Sequence, residues 1–396
     1  IVVHGRFHAF HLARELINQG HDVTLFTNYP KNIVAQFGIL PQYVKTFLLH
    51  GILTRVFQKL TAFLPFKSWD FLFSPLFSRW VAKQIIHQDY NAIYSFSGIA
   101  EELFNSIPSE NKTIKFLVRG SSHIEIQKKL LEEEKNRACR VLGKSIEIDK
   151  PEEWIIAREK REYELADQVI VLSSFAYNSF LEQGFSQNKL KILPLGAQLS
   201  QFRPDAEIIE KRCQRILSGQ PLKIMMVGTF SLRKGIIDFI EIAQQTSDKF
   251  KFQFVGAISP DGNDLSKKSL NFIEMNPRQT ESELFQFYNN ADIFIFTSIE
   301  DGFAVVISQA QAAGLPILAT TNCSALDIVT EDVTGWVLPI RSPELFVKRL
   351  LWCHEHRQEL AEMVKKVYHE YQPRDWQEVA TDFSTIVREY LALSSK

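Results

Sequence analysis

Two stretches of this 396-residue chain, one opening at residue 1 and one near residue 223, follow the same plan. The first, IVVHGRFHAFHLARELINQGHDVTLF, runs from a short apolar strand through a loop at Gly5 into an amphipathic helix. It continues past Gly20 into a second strand over residues 22–26. The second has a strand over 223–227, a loop from Gly228, a helix through 236–243 and a strand over 252–255. A strand, a short loop, a helix and a strand make a crossover connection, and a crossover pairs its strands in parallel. Two such units far apart imply an α/β chain of two Rossmann-like, doubly wound domains in tandem.

Further apolar strands are expected over 92–96, 114–118, 168–172, 292–296 and 317–319. A charged helix is expected over 124–140, and another over 303–313, closed by Gly314 and Pro316. The polar stretch 201–220 reads as the linker, so the expected units are 1–200, 201–375 and a closing helix within 376–396. Lys plus Arg number 45 against 46 Asp plus Glu, a net charge of -1 that argues against nucleic acid as a partner. The four cysteines show no CxxC or Cys/His ligand spacing, which favours a reducing compartment over disulfides or structural zinc. The longest uncharged stretch, 302–326, carries too many Gln, Asn, Ser, Gly and Pro residues to span a bilayer. No signal peptide is visible. The chain opens at Ile1 inside an expected strand without an initiator Met, so residues are expected to precede it.

In open α/β sheets, ligands bind beyond the carboxyl ends of the strands. After the strand at 223–227 comes GTFSLRKG. There Gly228 lets backbone approach a ligand, and Arg233 and Lys234 stand at a helix N-terminus already favourable to anions. A diphosphate site is one reading; a solvated Arg-Lys pair is the other. After the strand at 292–296 comes TSIEDGFAVVISQAQAAGLP, where Glu300 and Asp301 precede Gly302 and Phe303 and a helix starts at once. The acids are either caps or acceptors for sugar hydroxyls beside amide donors for phosphate. Gln309, about two turns into an apolar helix, needs a polar partner, which a ribose diol would satisfy.

These residues carry a pattern that resembles the GT-B glycosyltransferases, specifically the large retaining group usually numbered family 4. The matching stretches are ADQVIVLSSFAYNSFLEQGFSQNKLKILPLGAQLSQFRPD (166–205), VGTFSLRKG (227–235), EDGFAVVISQAQAAGLPILAT (300–320) and LDIVTEDVTGWVLP (326–339). Residues 1–27 and FLVRGSSH (116–123) match more loosely. The resemblance implies two Rossmann-like domains facing a central cleft, with a last helix that crosses back onto the first domain. It implies metal-independent transfer of a sugar, with retention, from a nucleotide-diphospho-sugar to a glycan or lipid-linked acceptor. The nucleotide sugar is then a substrate and no cofactor is expected. Lys234 and Arg233 would stabilise the leaving diphosphate. Asp301 and the amides of Gly302, Phe303, Ala304 and Val305 would hold the donor sugar, with Gln309 on the ribose. Gly228 and Thr229, and in the first loop Gly5, Arg6 and His8, complete the expected donor contacts. Arg119 and His123 are expected near phosphate or sugar.

The chain departs from the family pattern in several places. Asp301 and Gln309 stand where the signature has two glutamates, Thr229 replaces an arginine, Arg119 replaces a histidine, and Gly5 stands alone where a glycine pair is usual. These changes keep a second reading open, a non-catalytic nucleotide-sugar-binding or scaffold protein on a decayed fold. A metal held by His4, His8 and His11 is disfavoured because no carboxylate shares their loop. Of the chain's 31 phenylalanines, a dense group lies between Phe47 and Phe77, with Trp69 and Trp80 and with Arg55, Lys59, Lys67, Arg79 and Lys83 interspersed. This group either packs the first domain's core or lies against an anionic membrane. The setting expected is the cytoplasm, with peripheral attachment to the membrane's inner face on the second alternative.

Overall fold

A computed structural model describes residues 1–5, 7–60, 68–108 and 110–394, the side chains of Leu60, Leu393 and Ser394 excepted. Arg6, Phe63, Phe66 and Lys67 therefore lie outside the described residues. Seven parallel strands form the first sheet: β1 (Val2–Val3), β2 (Leu25–Thr27), β3 (Val44–Thr46), β4 (Ala92–Phe96), β5 (Ile114–Arg119), β6 (Gln168–Val171) and β7 (Leu190–Ile192). Their order is β3-β2-β1-β4-β5-β6-β7. Six more form the second: β8 (Leu222–Phe230), β9 (Phe250–Ile258), β10 (Ile273–Asn276), β11 (Ile293–Phe296), β12 (Ile317–Thr320) and β13 (Gly335–Leu338). Here the order is β10-β9-β8-β11-β12-β13. Both sheets reverse direction beside their first strand, as doubly wound sheets do, and it is at such reversals that open α/β sheets bind ligands.

Strand β8 is longer than the apolar run suggested. Gly228, Thr229 and Phe230 pair with Gly256, Ala257 and Ile258, so the loop starts at Ser231. Two glycines permit the extension: a Cβ on Gly256 would lie 1.7 Å from the Gly228 carbonyl oxygen, and both backbones have positive φ.

The expected linker is mostly a helix, Ala206–Leu217, and it is docked. Ile209, Cys213 and Ile216 repeat at helical spacing and enter the second domain's core, which polar composition alone concealed. Arg212 lies on the same face and is fully buried. Its two terminal nitrogens donate to the carbonyls of Ala313 (2.7 Å), Gly314 (3.0 Å) and Tyr288 (3.0 Å), replacing the water they have lost, while Nε is buried without a partner. Arg212 thereby caps the C-terminal end of the helix Val305–Ala312, whose other end follows Gly302, the glycine that lies against Gly120 of the first domain.

The last helix, Trp376–Ser394, leaves the second domain and packs on the first. Trp376, Val379, Ala380 and Phe383 join that domain's core, and Phe383 meets Tyr94 and Phe116 edge-on. A further tie comes from the helix Ile124–Leu142, which starts at the end of β5 yet sends Leu131 and Ala138 into the second domain's core.

Replacing Arg212 by Leu should lower the stability of the second domain by about 3–5 kcal/mol, because buried carbonyls lose charged donors. Urea unfolding followed by tryptophan fluorescence checks this; a loss under about 1 kcal/mol would show that the carbonyls find other partners.

Candidate functional site

At the second sheet's reversal, the loop after β8 meets the loop after β11. Gly235 allows their contact: its φ is +68°, and a Cβ there would lie 1.8 Å from the Thr297 carbonyl oxygen. The Arg233 carbonyl accepts from the Ile299 amide at 2.9 Å, and the Thr297 hydroxyl donates to the Gly235 carbonyl at 2.9 Å. These bonds place Arg233 and Lys234, on the short turn Leu232–Lys234, beside Glu300 and Asp301.

The Lys234 ammonium pairs with the Asp301 carboxylate and lies 5.4 Å from the centre of the Phe296 ring. Asp301 also accepts from the Phe303 amide at 3.2 Å. Burial works to raise the Asp301 pKa, but Lys234 and Arg233 outweigh it and hold the carboxyl below its ordinary range. The pair is thus ionised, with the cation positioned by protein contacts before any ligand arrives.

The amides expected to receive a donor are only partly uncommitted. Phe303 N–H serves Asp301, and Ala304 N–H donates to the Ser324 hydroxyl at 3.1 Å. Val305 opens the helix Val305–Ala312. The Gln309 carbonyl oxygen accepts from the buried Tyr288 hydroxyl at 3.1 Å, which leaves its NH2 end as the donor beyond that contact. Gly228 and Thr229 belong to β8, upstream of the loop that carries the two cations.

Gly302 touches the other domain. A Cβ on it would lie 2.1 Å from the Gly120 carbonyl oxygen, so the loop after β5 and the loop after β11 meet backbone to backbone. The first domain contributes Ser121, Ser122 and Gln127 here: Glu300 accepts from the Ser122 amide and hydroxyl, each at 2.9 Å, and from Gln127 at 3.1 Å. Arg233 reaches Ser121 at 3.1 Å and Glu300 at 2.8 Å. One-dimensional reading did not single out these partners, since no local pattern says which loop of one domain will face which loop of the other.

Arg119 is held inside the first domain, by Glu159 at 3.0 Å, Gln127 at 2.7 Å and the Ser122 carbonyl at 3.1 Å. It meets the cleft through Gln127 and Ser122 and not through an open guanidinium. His123 is 2% exposed, packed among Tyr163, Phe180 and Phe185, with Nδ1 accepting from the Glu125 amide at the start of its helix. Burial chiefly lowers its pKa, to about 4, with Glu125 raising it and Arg119 lowering it. The structure gives it the work of a neutral helix cap. In the first loop, Gly5 donates its amide to Asn28 at 3.0 Å. His8 bonds the Tyr94 hydroxyl at 2.9 Å and stacks on Trp376, as does His11, so both rings help seat the closing helix. Neighbouring Phe7, at 66% exposure, stacks on Phe96 and leaves its other face open. Of the residues expected from sequence, Arg233, Lys234, Asp301, Gly302 and Phe303 form one cluster, while Arg119 reaches it only through Gln127 and Ser122, and His8 and His123 have structural duties.

Comparison with known proteins bears on the fold. The structure superimposes on sucrose-phosphate synthase from Thermosynechococcus elongatus with a TM-score of 0.69 at 18% identity, covering 99% of this chain and 96% of the other. It superimposes on HepE of Anabaena, solved in complex with UDP, with a TM-score of 0.65 at 14% identity, covering 98% and 99%. The chain has the GT-B fold. Residues 208–370, which contain the Arg233–Asp301 cluster, match the model of the glycosyl transferases group 1 family. Among curated relatives, the capsular polysaccharide biosynthesis glycosyltransferase CapM of Staphylococcus aureus is 25% identical over 185 residues, 44% of this chain and 48% of its own length. The N,N'-diacetylbacillosaminyl-diphospho-undecaprenol alpha-1,3-N-acetylgalactosaminyltransferase of Campylobacter jejuni is 22% identical over 203 residues, 50% of this chain and 54% of its own length. The matches span about half the length of these curated relatives.

The His123 imidazole sets a pH dependence. An unfolded chain takes up a proton at this ring below about pH 6.5, the folded one only near 4. The folded pKa being the lower, the contribution is intact above 6.5 and is lost as pH falls, by about 2 kcal/mol at pH 5. His123→Asn keeps a capping side chain without the titration, so its urea midpoint should fall less between pH 7 and 5 than the wild type's. Parallel pH profiles of the two proteins would refute this.

Proposed function

We propose that the protein is a glycosyltransferase that moves a sugar from a nucleotide-diphospho-sugar to a glycan or lipid-linked acceptor, of the retaining family 4 type. The observation that carries the reading is the Lys234–Asp301 pair beside Arg233 at the sheet's reversal, within the segment that matches the glycosyl transferases group 1 family. Breaking the bond between the anomeric carbon and the diphosphate oxygen leaves negative charge on the phosphate. Lys234 and Arg233 are held beside one another where that charge would develop, and the two cations would supply the stabilisation a metal otherwise gives. Asp301 accepts from sugar hydroxyls once Lys234 turns to phosphate, and the NH2 of Gln309 serves the ribose. The solved complex of HepE with UDP and the acceptor named for the Campylobacter enzyme fit the same substrate classes.

Transfer or donor hydrolysis with UDP-, GDP- and ADP-sugars tests this. Lys234→Ala should lose about 10²–10³ in kcat, the usual consequence of removing one prepositioned donor; unchanged activity would remove Lys234 from the reaction. A decayed, non-catalytic site is favoured by one observation, that Arg233 is already neutralised by Glu300. Calorimetric titration with nucleoside diphosphates separates the readings, since a decayed site shows no saturable binding.

The aromatic segment bears on the acceptor. Phe73 and Phe77 are buried, and Phe47, Phe57, Trp69 and Trp80 pack around them, so these rings serve the core. What faces outward is mainly aliphatic: Leu48, Leu49, Ile52 and Val56 on the helix Leu48–Leu60, and Phe71, Leu72 and Leu76 on the helix Asp70–Ile85. Arg55 and Lys59 continue the first face, Arg79 and Lys83 the second, all four exposed. No described helix is long and apolar enough to cross a membrane. We propose instead that these two faces rest on the anionic inner surface of a membrane and present the cleft to a lipid-linked acceptor from the cytoplasm. Co-sedimentation with phosphatidylglycerol vesicles should exceed that with phosphatidylcholine. Replacing both Arg79 and Lys83 by Ala should weaken it by roughly tenfold or more, at about 1 kcal/mol per basic residue; equal binding to both vesicle types would end the membrane reading.

A further inference from the structure

Glu300 has no place in the donor reading above, yet it is the most heavily bonded carboxylate at the junction of the two domains. Its side chain is fully buried. One oxygen accepts from the Ser122 amide and hydroxyl, both at 2.9 Å. The other accepts from Gln127 at 3.1 Å and from Arg233 Nε at 2.9 Å, with Arg233 Nη2 at 2.8 Å. Three donors thus come from the first domain, and the neutralising cation comes from the second. Burying a carboxylate this deeply is costly unless its partners are in place, so its comfort depends on both sides together.

The first-domain partners are themselves fixed. Arg119, anchored by Glu159, donates to the Gln127 carbonyl oxygen at 2.7 Å and to the Ser122 carbonyl at 3.1 Å, orienting both groups toward Glu300. On the other side, Arg233 Nε also reaches the Glu300 main-chain oxygen at 3.1 Å, and Nη2 reaches Ser121 at 3.1 Å. Two of the three guanidinium nitrogens are therefore engaged, leaving Nη1 as the edge open to a ligand. A planar fork pinned along one edge presents the other in a single direction.

We propose that Glu300 is a positioning residue that sets the orientation of Arg233 when the loops after β5 and β11 meet, so that contact between the two domains completes the cationic site. This rests on the glycosyltransferase reading for its catalytic consequence, but not for the contact itself. With Ser122 and Gln127 withdrawn, Glu300 keeps only Arg233, and nothing from the first domain fixes the plane of the pair. With them in place, Glu300 is shared among its partners, and Arg233 is held beside the Lys234–Asp301 pair.

Three variants, Glu300→Gln, Ser122→Ala and the double replacement, test the proposal by two readouts. The first needs no activity. Arg233 should react with phenylglyoxal, quantified by peptide mass spectrometry, at least about fivefold faster in Glu300→Gln, and faster also in Ser122→Ala. Labelling of exposed Arg278 should not change. The second is kinetic: Glu300→Gln should lower kcat about tenfold or more while the nucleoside diphosphate Kd moves less than threefold. Ser122→Ala and Glu300→Gln should combine to less than the product of their separate effects, because they break one contact.

Unaltered Arg233 labelling in both single variants would overturn the proposal. So would kcat losses that multiply, or kcat, Kd and melting temperature falling together, which marks a merely structural role. Ser122→Ala, a smaller change, keeps the test open should Glu300→Gln not fold. A wild type inactive with every donor but showing the labelling response would defeat the glycosyltransferase reading and leave the positioning role standing.

Discussion

A parallel strand pair cannot be closed by a tight turn, and most of this molecule follows from that constraint. Each connection must cross over the sheet, and the hand of the crossover is fixed by strand twist. When the chain winds first to one side of its starting strand and then to the other, the helices that follow the neighbouring strands diverge to opposite faces of the sheet, and ligands bind at that point. In the second sheet the divergence lies between β8 and β11, and Arg233, Lys234, Glu300 and Asp301 stand on those two loops. The cluster of charge is a consequence of strand order before it is a consequence of chemistry.

Holding that cluster requires the backbone to come unusually close in three places. Gly235 lies against Thr297, Gly256 against Gly228, and Gly302 against Gly120 of the other domain. The first contact joins the two site loops, the second extends β8, and the third seats one domain on the other. In each, a Cβ would fall about 2 Å from a carbonyl oxygen, so an alanine would have to move backbone. The loops that carry the charged residues are therefore brought together by main-chain packing, and the side-chain pairs set their orientations within that frame.

The two domains are joined by devices of different character. Apolar burial does part of the work, through the closing helix on the first core and Leu131 and Ala138 in the second. Ion pairs do another part: Arg341, in the left-handed region at φ 58°, bonds Glu134 at 3.0 Å and Glu133 at 2.7 Å across the junction. The polar bridge at Glu300 differs from both because it ends on Arg233, beside the Lys234–Asp301 pair.

The sequence alone determined the fold class and the location of the cationic cluster. The βαβ period is local, and apolar runs separated by Gly5, Gly20, Gly228 and Gly314 are enough to read it. The motif from Glu300 to Thr320 and the pair Arg233-Lys234 were legible for the same reason, each lying within a few residues of a strand end. Other roles depended on residues distant in the chain. His8 is 368 residues from Trp376, on which it stacks, and nothing near His8 announces that ring. Arg119 and His123 sat in the right loop, yet Glu159 and a cage of aromatic rings occupy them. The helix over 206–217 read as a linker because Arg212 looks solvated until the carbonyls of Ala313 and Gly314 are brought to it. Whether a charged group faces solvent, a partner or a ligand is settled by what the rest of the chain places within about 3 Å of it, and only the tertiary structure decided that.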